Sequence, residues 1–269
     1  MKKAKFSYNE NAKVSYKVSD VITACLTGLE SFLKGLKENN PDSLITIVNY
    51  LNSKYSNEED FGVSIDTDYQ ILQQYPELLK GSINAALSLV NYRKNKQESI
   101  DEEAEIDVID LVRTFNHFEY SFMISLLEIM SHKEAIDYIK RMADDIIHSR
   151  KDPSRYLETL EGIIERFRVN AERWQTQDVV AEVLDDKKLL YKVKKCRWAE
   201  VMKDFDPELS YAIMCYTDFE NAKNLNPNFI LKRTKTKMME DEYCDFCYHD
   251  TRKEKEIAHP SEKEFQELD

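Results

Sequence analysis

Apolar residues recur at three-and-four spacing through the first two-thirds of the chain. Val21, Ile22, Cys25, Leu26, Leu29, Phe32, Leu33 and Leu36 make one such stripe, which predicts an amphipathic helix. Pro41 is placed to open the next, with Leu44, Ile47, Val48 and Leu51 on its apolar side. Residues 52–68 are mostly polar, contain Gly62, and read as a loop; 69–93 read as a further helix, and the polar run 94–105 as a linker or long loop. A long apolar face then runs from Val108 to Ile129. Ser131 and Glu134 form a capping-box signature for the helix after it, and Asp152 and Pro153 look like the N-cap and first position of one reaching about Trp174.

The period shortens after Trp174. Val179, Val180 and Val183, then Leu189, Tyr191 and Val193, fall in two runs split by Asp185, Asp186, Lys187 and Lys188, the pattern of a hairpin. A short helix is expected over 198–203. Residues 229–237 alternate apolar and basic, as a half-buried strand does, and 243–248 can pair with them. The charged tail 251–269 reads as flexible. The predicted fold is therefore α+β, a helical N-terminal two-thirds packed with a small C-terminal antiparallel sheet. Its expected divisions are a helical region over 1–105, a helices-then-sheet domain over 106–250, and the tail.

Composition narrows the function classes. The chain has 269 residues, 42% hydrophobic and 33% charged, which describes a globular protein. A formal net charge of −12 argues against nucleic acid and anionic membrane as partners. No apolar run approaches the roughly 20 residues of a membrane helix, and no apolar signal core follows the N-terminal lysines, so a cytoplasmic location is expected. Five cysteines, four of them between Cys196 and Cys247, fit a thiol or metal site better than a disulfide framework. Cys25, on an apolar helix stripe, reads as structural.

Six short blocks stand in order between Lys195 and Phe246: Lys195–Glu200, Pro207–Tyr211, Met214–Phe219, Asn226–Phe229, Arg233–Thr236 and Asp241–Phe246. With them, the segment from Asp178 to Asp250 resembles the L-2-amino-thiazoline-4-carboxylic acid hydrolase family. Residues 106–174 are similar in character to that family's helical half. One departure is Glu240, which stands where the family usually has a glycine before its acidic pair and cysteine; a side chain there bears on the turn that presents Cys244.

The resemblance implies hydrolytic opening of a 2-amino-thiazoline ring to N-carbamoyl-cysteine. That chemistry needs a nucleophile with a base, an acid or cation to assist the departing sulfur, and a cation for the substrate carboxylate. The candidates are Cys244 or Cys215 as reactive thiol, Asp218 as proton-transfer partner and Arg233 for the carboxylate; if Cys215 ends a strand, its thiol and the Asp218 carboxylate can converge on one pocket. Asn226 and His117 are further candidates for substrate binding. Each has a plainer reading: Asp218 as a helix cap, Arg233 as a surface strand residue paired with an acid, Asn226 before Pro227 as a turn former, and His117 as a core histidine.

No cofactor is expected. The alternative is zinc on Cys196, Cys215, Cys244 and Cys247, although Cys244 and Cys247 would point to opposite faces of a strand. The competing function is a non-catalytic small-molecule-binding module of the vinyl-reductase type with such a structural metal. A small-molecule substrate is the expected partner, another cyclic amidine acid remains an alternative substrate, and the sequence leaves open a homo-oligomer.

Overall fold

The computed structural model describes residues 2–66, 68–93 and 99–268. Its strands are β1 (Lys3–Phe6), β2 (Lys13–Lys17), β3 (Glu103–Asp107), β4 (Gln177–Leu184), β5 (Lys188–Cys196), β6 (Phe229–Lys232) and β7 (Cys244–Asp250). The helices are α1 (Val18–Asn39), α2 (Leu44–Tyr55), α3 (Pro76–Leu89), α4 (Val108–Met123), α5 (His132–Ser149), α6 (Leu160–Trp174), α7 (Arg197–Met202), α8 (Pro207–Met214), α9 (Asp218–Leu225) and α10 (Glu262–Gln266). The α+β expectation is met, with helices dominating the N-terminal part and a five-stranded antiparallel sheet of order β1-β4-β5-β7-β6. Among the described residues no helix is long and apolar enough to cross a membrane.

The chain forms two compact units, Met1–Ala12 with Lys140–Asp269, and Lys13–Ile139. The first unit is built on the sheet. Asp185 and Asp186 both take left-handed backbone (φ 50° and 55°), the twist a tight hairpin between β4 and β5 requires, and Lys187 N–H donates to Leu184 O at 3.0 Å. Val179, Ala181, Val183, Leu189, Tyr191 and Val193 face one side, where Leu160, Ile163 and Ile164 of α6 and Ala222 and Leu225 of α9 cover them. Val180, Leu190 and Cys247 face the other side and pack on Phe265 and Leu268. Covered on both faces, β7 is buried along its whole length.

The second unit gathers the N-terminal stripes. The apolar face of α1 is sealed from Val18 to Leu36, Phe32 meets Phe122 of α4 with ring centroids 5.1 Å apart, and Tyr55 of α2 stacks on Phe118 at 5.9 Å. Strands β2 and β3 pair antiparallel, Lys13 opposite Asp107.

Several elements depart from expectation. β1, β2 and β3 each carry two lysines or two glutamates in four or five residues, and such short, charged strands lack the apolar run by which strands are recognised. Residues 94–98 of the expected linker lie outside the described residues, and its end enters β3. Asp152 caps only a 3₁₀ turn over Pro153–Arg155, whereas α6 starts later, capped by the Thr159 hydroxyl on Gly162 N–H. β6 stops at Lys232, because the N–H groups of Thr234 and Lys235 turn to the Asp245 carboxylate instead of a strand. In place of a flexible tail, residues 261–268 hold α10 behind a Ser261–Glu264 capping box, with Phe265 and Leu268 buried.

A Cβ added at Gly81 of α3 would lie 2.9 Å from Tyr55 Cβ, so the helices close there only over a hydrogen atom. Gly81→Ala is expected to destabilise the protein by about 1–3 kcal/mol, the usual cost of overpacking. The midpoint of urea unfolding measures it, and an unchanged midpoint would contradict this packing.

Candidate active site

The candidate residues of the first unit are assembled at one end of its sheet by short helices and turns. Asp206 accepts from Leu209 N–H at 2.9 Å and starts α8, with Pro207 in the first turn. One turn apart on that helix, Tyr211 and Cys215 face the same side. Cys215 is the helix C-cap, its N–H bonded to Tyr211 O at 2.9 Å, and does not end a strand. Asp218 opens α9, where a carboxylate is favoured by the helix N-terminus.

Arg233 draws these parts together as the chain leaves β6. Its Nη1 donates to Asp218 Oδ2 at 2.7 Å, and its Nη2 to Cys215 O at 2.9 Å and to Tyr211 Oη at 3.2 Å. Its guanidinium carbon lies 4.8 Å from the ring centre of Phe246, 5.1 Å from Phe219 and 5.3 Å from Tyr211. Only 2% of the Arg233 side chain is exposed, against 33% for Asp218. The arginine is thus enclosed, whereas the Asp218 side chain is partly exposed. Burial pushes the Asp218 pKa up, and the Arg233 cation opposes that shift.

The next turn presents Cys244. Asp245 accepts from Thr234 N–H (2.9 Å), Thr234 Oγ1 (2.5 Å) and Lys235 N–H (2.6 Å), which fastens the segment leaving β6 to the start of β7. Asp241 then accepts from Thr236 N–H at 2.7 Å and closes a tight turn through Glu240. Lys237 N–H points at Cys244 Sγ, 3.2 Å away. The Thr236 hydroxyl stands between the thiols, 3.6 Å from Cys244 Sγ and 3.9 Å from Cys215 Sγ.

Burial raises the pKa of all three thiols at this end: Cys196 to about 12, Cys215 further, with the Asp218 charge adding to it, and Cys244 upward as well. Opposing influences act on each: the N–H groups of Ala199 and Trp198 and the Gln177 side chain lower the Cys196 pKa, and the Arg233 charge lowers that of Cys215. On Cys244 both kinds combine, since Lys237 N–H, the Thr236 hydroxyl and the Arg233 charge all pull its pKa back down.

The remaining candidates fall elsewhere. Asn226 Nδ2 donates to Leu157 O at 2.8 Å and its Oδ1 accepts from Asn228 N–H and Nδ2, so its amide is engaged in the turn between α9 and β6. His117 lies on α4, in the other unit. Cys247 faces the opposite side of the sheet from Cys244, so the four-cysteine zinc set is not brought together. Among the described residues no three His, Cys, Asp or Glu side chains are placed to hold a metal ion. Tyr211, Thr236 and Lys237 N–H were given no role from the sequence; the four-residue interval from Tyr211 to Cys215 was the available signal for the first.

Residues 115–248 match the family model of L-2-amino-thiazoline-4-carboxylic acid hydrolase. This segment belongs to that hydrolase family. The match takes in Cys196, Cys215, Asp218, Arg233 and Cys244, so the whole cluster lies in the hydrolase-family segment. No match was found among curated proteins or among solved structures.

The departure at Glu240 has a backbone counterpart, since Glu240 takes φ +67°, a conformation that favours glycine. Glu240→Gly is expected to gain roughly 1 kcal/mol of stability by relieving that backbone; a lower unfolding midpoint would show that its side chain matters more. Arg233→Met leaves Asp218 without its cation and is expected to cost on the order of 3 kcal/mol, less than for a sealed pair because Asp218 is partly solvated. Denaturant unfolding of the variant, alone and with Asp218→Asn, measures the coupling; purely additive losses would contradict it.

Proposed function

We propose that this protein opens the ring of L-2-amino-thiazoline-4-carboxylate, or of a related small cyclic amidine acid, to give N-carbamoyl-cysteine, with Cys244 as the attacking thiol. The observation that carries the choice is the pair of partners on its sulfur, Lys237 N–H at 3.2 Å and the Thr236 hydroxyl at 3.6 Å. A backbone N–H aimed at sulfur favours the thiolate, and neither Cys215 nor Cys196 has the same combination with the nearby Arg233 charge.

In this reading the Cys244 sulfur adds to the ring carbon between sulfur and nitrogen. The ring carbon–sulfur bond breaks, and the departing sulfur takes a proton. Asp218 is suited to exchange that proton, because burial raises its pKa while its side chain stays partly exposed. Water then adds to the same carbon and supplies the oxygen of the carbamoyl group. Cys244 leaves and recovers its proton. Water and side chains supply every atom, so the proposal uses no cofactor.

Arg233 holds Asp218 and the end of α8 in place for this step. If Arg233 instead binds the substrate carboxylate, that carboxylate has to replace Asp218 on Nη1. A second reading, a small-molecule-binding module without turnover, is favoured by the burial that keeps these thiols protonated and by the engaged guanidinium.

The deciding experiment incubates the protein with L-2-amino-thiazoline-4-carboxylate and follows product by mass spectrometry. Wild type is expected to form N-carbamoyl-cysteine, Cys244→Ala to fall to background, and Asp218→Asn to lose about 100-fold or more in kcat. Full activity in Cys244→Ala would move the nucleophile to water or Cys215. Binding without product from this and related cyclic amidine acids would favour the binding module.

A further inference from the structure

The opposite face of the same sheet carries a second ordered set of side chains. Cys247 and His249 are two residues apart on β7, so both project to that face. Cys247 Sγ lies 3.2 Å from His249 Nε2, and His249 Nδ1 lies 2.6 Å from Glu254 Oε2. A carboxylate only accepts, so the Nδ1 of a neutral ring carries the proton. Nε2 then keeps its lone pair and the thiol donates to it. Thiol, imidazole and carboxylate stand in the order of nucleophile, base and orienting group.

The surroundings hold this order in place. The N–H groups of Lys253 and Glu254 both bind Asp250 O at 3.0 Å, and the Asp250 carboxylate accepts from Arg252 N–H and Nε, which forms the turn that returns Glu254 to the ring. Cys247 has no exposed surface and His249 1%. The cover over Cys247 is apolar: Phe265 and Leu268 lie with it on Val180, Leu190 and Tyr243. In this closed arrangement burial holds the Cys247 pKa up near 12, so the thiol is protonated and silent.

That cover is short and is held by the burial of Phe265 and Leu268. α10 has five residues, too few to be stable alone in water. It is tied down by ion pairs from Glu264 to Lys188 at 2.9 Å and from Glu262 to Lys235 at 2.7 Å, both partly exposed, and by the stacking of Phe265 on His259. Lifting it would leave an apolar recess over the thiol, with Lys188, opposite His249 in the ladder, released from Glu264. An apolar chain bearing a polarised carbonyl suits such a recess.

We propose that Cys247, His249 and Glu254 form a second nucleophilic site, which accepts apolar acyl groups from thioesters or comparable activated esters when the segment Ser261–Leu268 lifts. His249 Nε2 takes the Cys247 proton and the sulfur attacks the acyl carbon, forming a new carbon–sulfur bond. The bond from that carbon to the leaving group breaks, and the leaving group takes the proton from His249. The acyl group moves from one carrier to another with no oxidant and no net change in protons. Cys247 lies within the family-matched segment, while His249 and Glu254 lie just beyond it.

The test treats the full-length protein with p-nitrophenyl butyrate and locates butyryl groups by peptide mass spectrometry, with iodoacetamide in parallel as a reporter of access. Phe265→Ala and Leu268→Ala loosen the cover from two sides. Either is expected to raise butyrylation of Cys247 at least about tenfold over wild type, and adding His249→Phe or Glu254→Gln to remove at least about tenfold of that gain. Circular dichroism checks that each variant stays folded. The proposal is overturned if iodoacetamide reaches Cys247 but butyrate does not, if both base variants acylate at the undiminished rate, or if neither reagent reaches Cys247 in either opened variant.

Discussion

A guanidinium removed from water has to find an anion, hydrogen-bond acceptors and polarisable surface, or the fold does not tolerate it. Arg233 obtains all three from different parts of the chain. Asp218 at the head of α9 supplies the anion, the carbonyl of Cys215 at the foot of α8 and the Tyr211 hydroxyl receive its other hydrogen bonds, and Tyr211, Phe219 and Phe246 present their rings. Satisfying one buried cation therefore fixes the junction of two short helices and a strand, and Cys215 and Asp218 are carried to their positions by it.

The neighbouring carboxylates extend the same logic to Cys244. Asp245 is buried and collects two backbone N–H groups and a hydroxyl, while Asp241 collects the N–H of Thr236. Both replace a sheet ladder that the chain gives up after Lys232. The turn they enforce leaves Lys237 N–H directed at a sulfur atom, and Glu240 in left-handed backbone is part of the same enforcement. The hydrolase-family segment thus places its thiols through polar contacts that lie outside regular secondary structure.

That distinction decides what could be read in the sequence. Helices with wide apolar stripes, such as α1 and α4, and the hairpin announced by its valines and paired aspartates were legible because periodicity records burial. The charged strands β1 to β3 were not, since pairing alone made them strands. Cys244, Cys215, Asp218 and Arg233 were legible as a group from the ordered blocks that resemble the family. Their mutual arrangement was not: that Arg233 would be enclosed, or that Cys215 would cap a helix, depends on contacts between residues 15 to 22 positions apart. Asn226 was legible as a turn former from the proline after it, whereas no local pattern indicated that the C-terminal residues would shield Cys247.

Strand β7 gives the two faces of the sheet a shared constraint. Its residues alternate sides, with Cys244, Phe246 and Tyr248 toward α6, and Cys247 and His249 toward α10. The spacing of three between the two cysteines is odd, and the spacing of two between Cys247 and His249 is even. Deleting or inserting one residue between positions 244 and 247 would reverse the parity of everything on one side of the change. Either Cys244 would leave the Thr236 turn, or Cys247 and His249 would exchange their apolar cover for the face that holds Arg233. The length of this short strand is therefore fixed from both faces at once, independently of which side chains it carries.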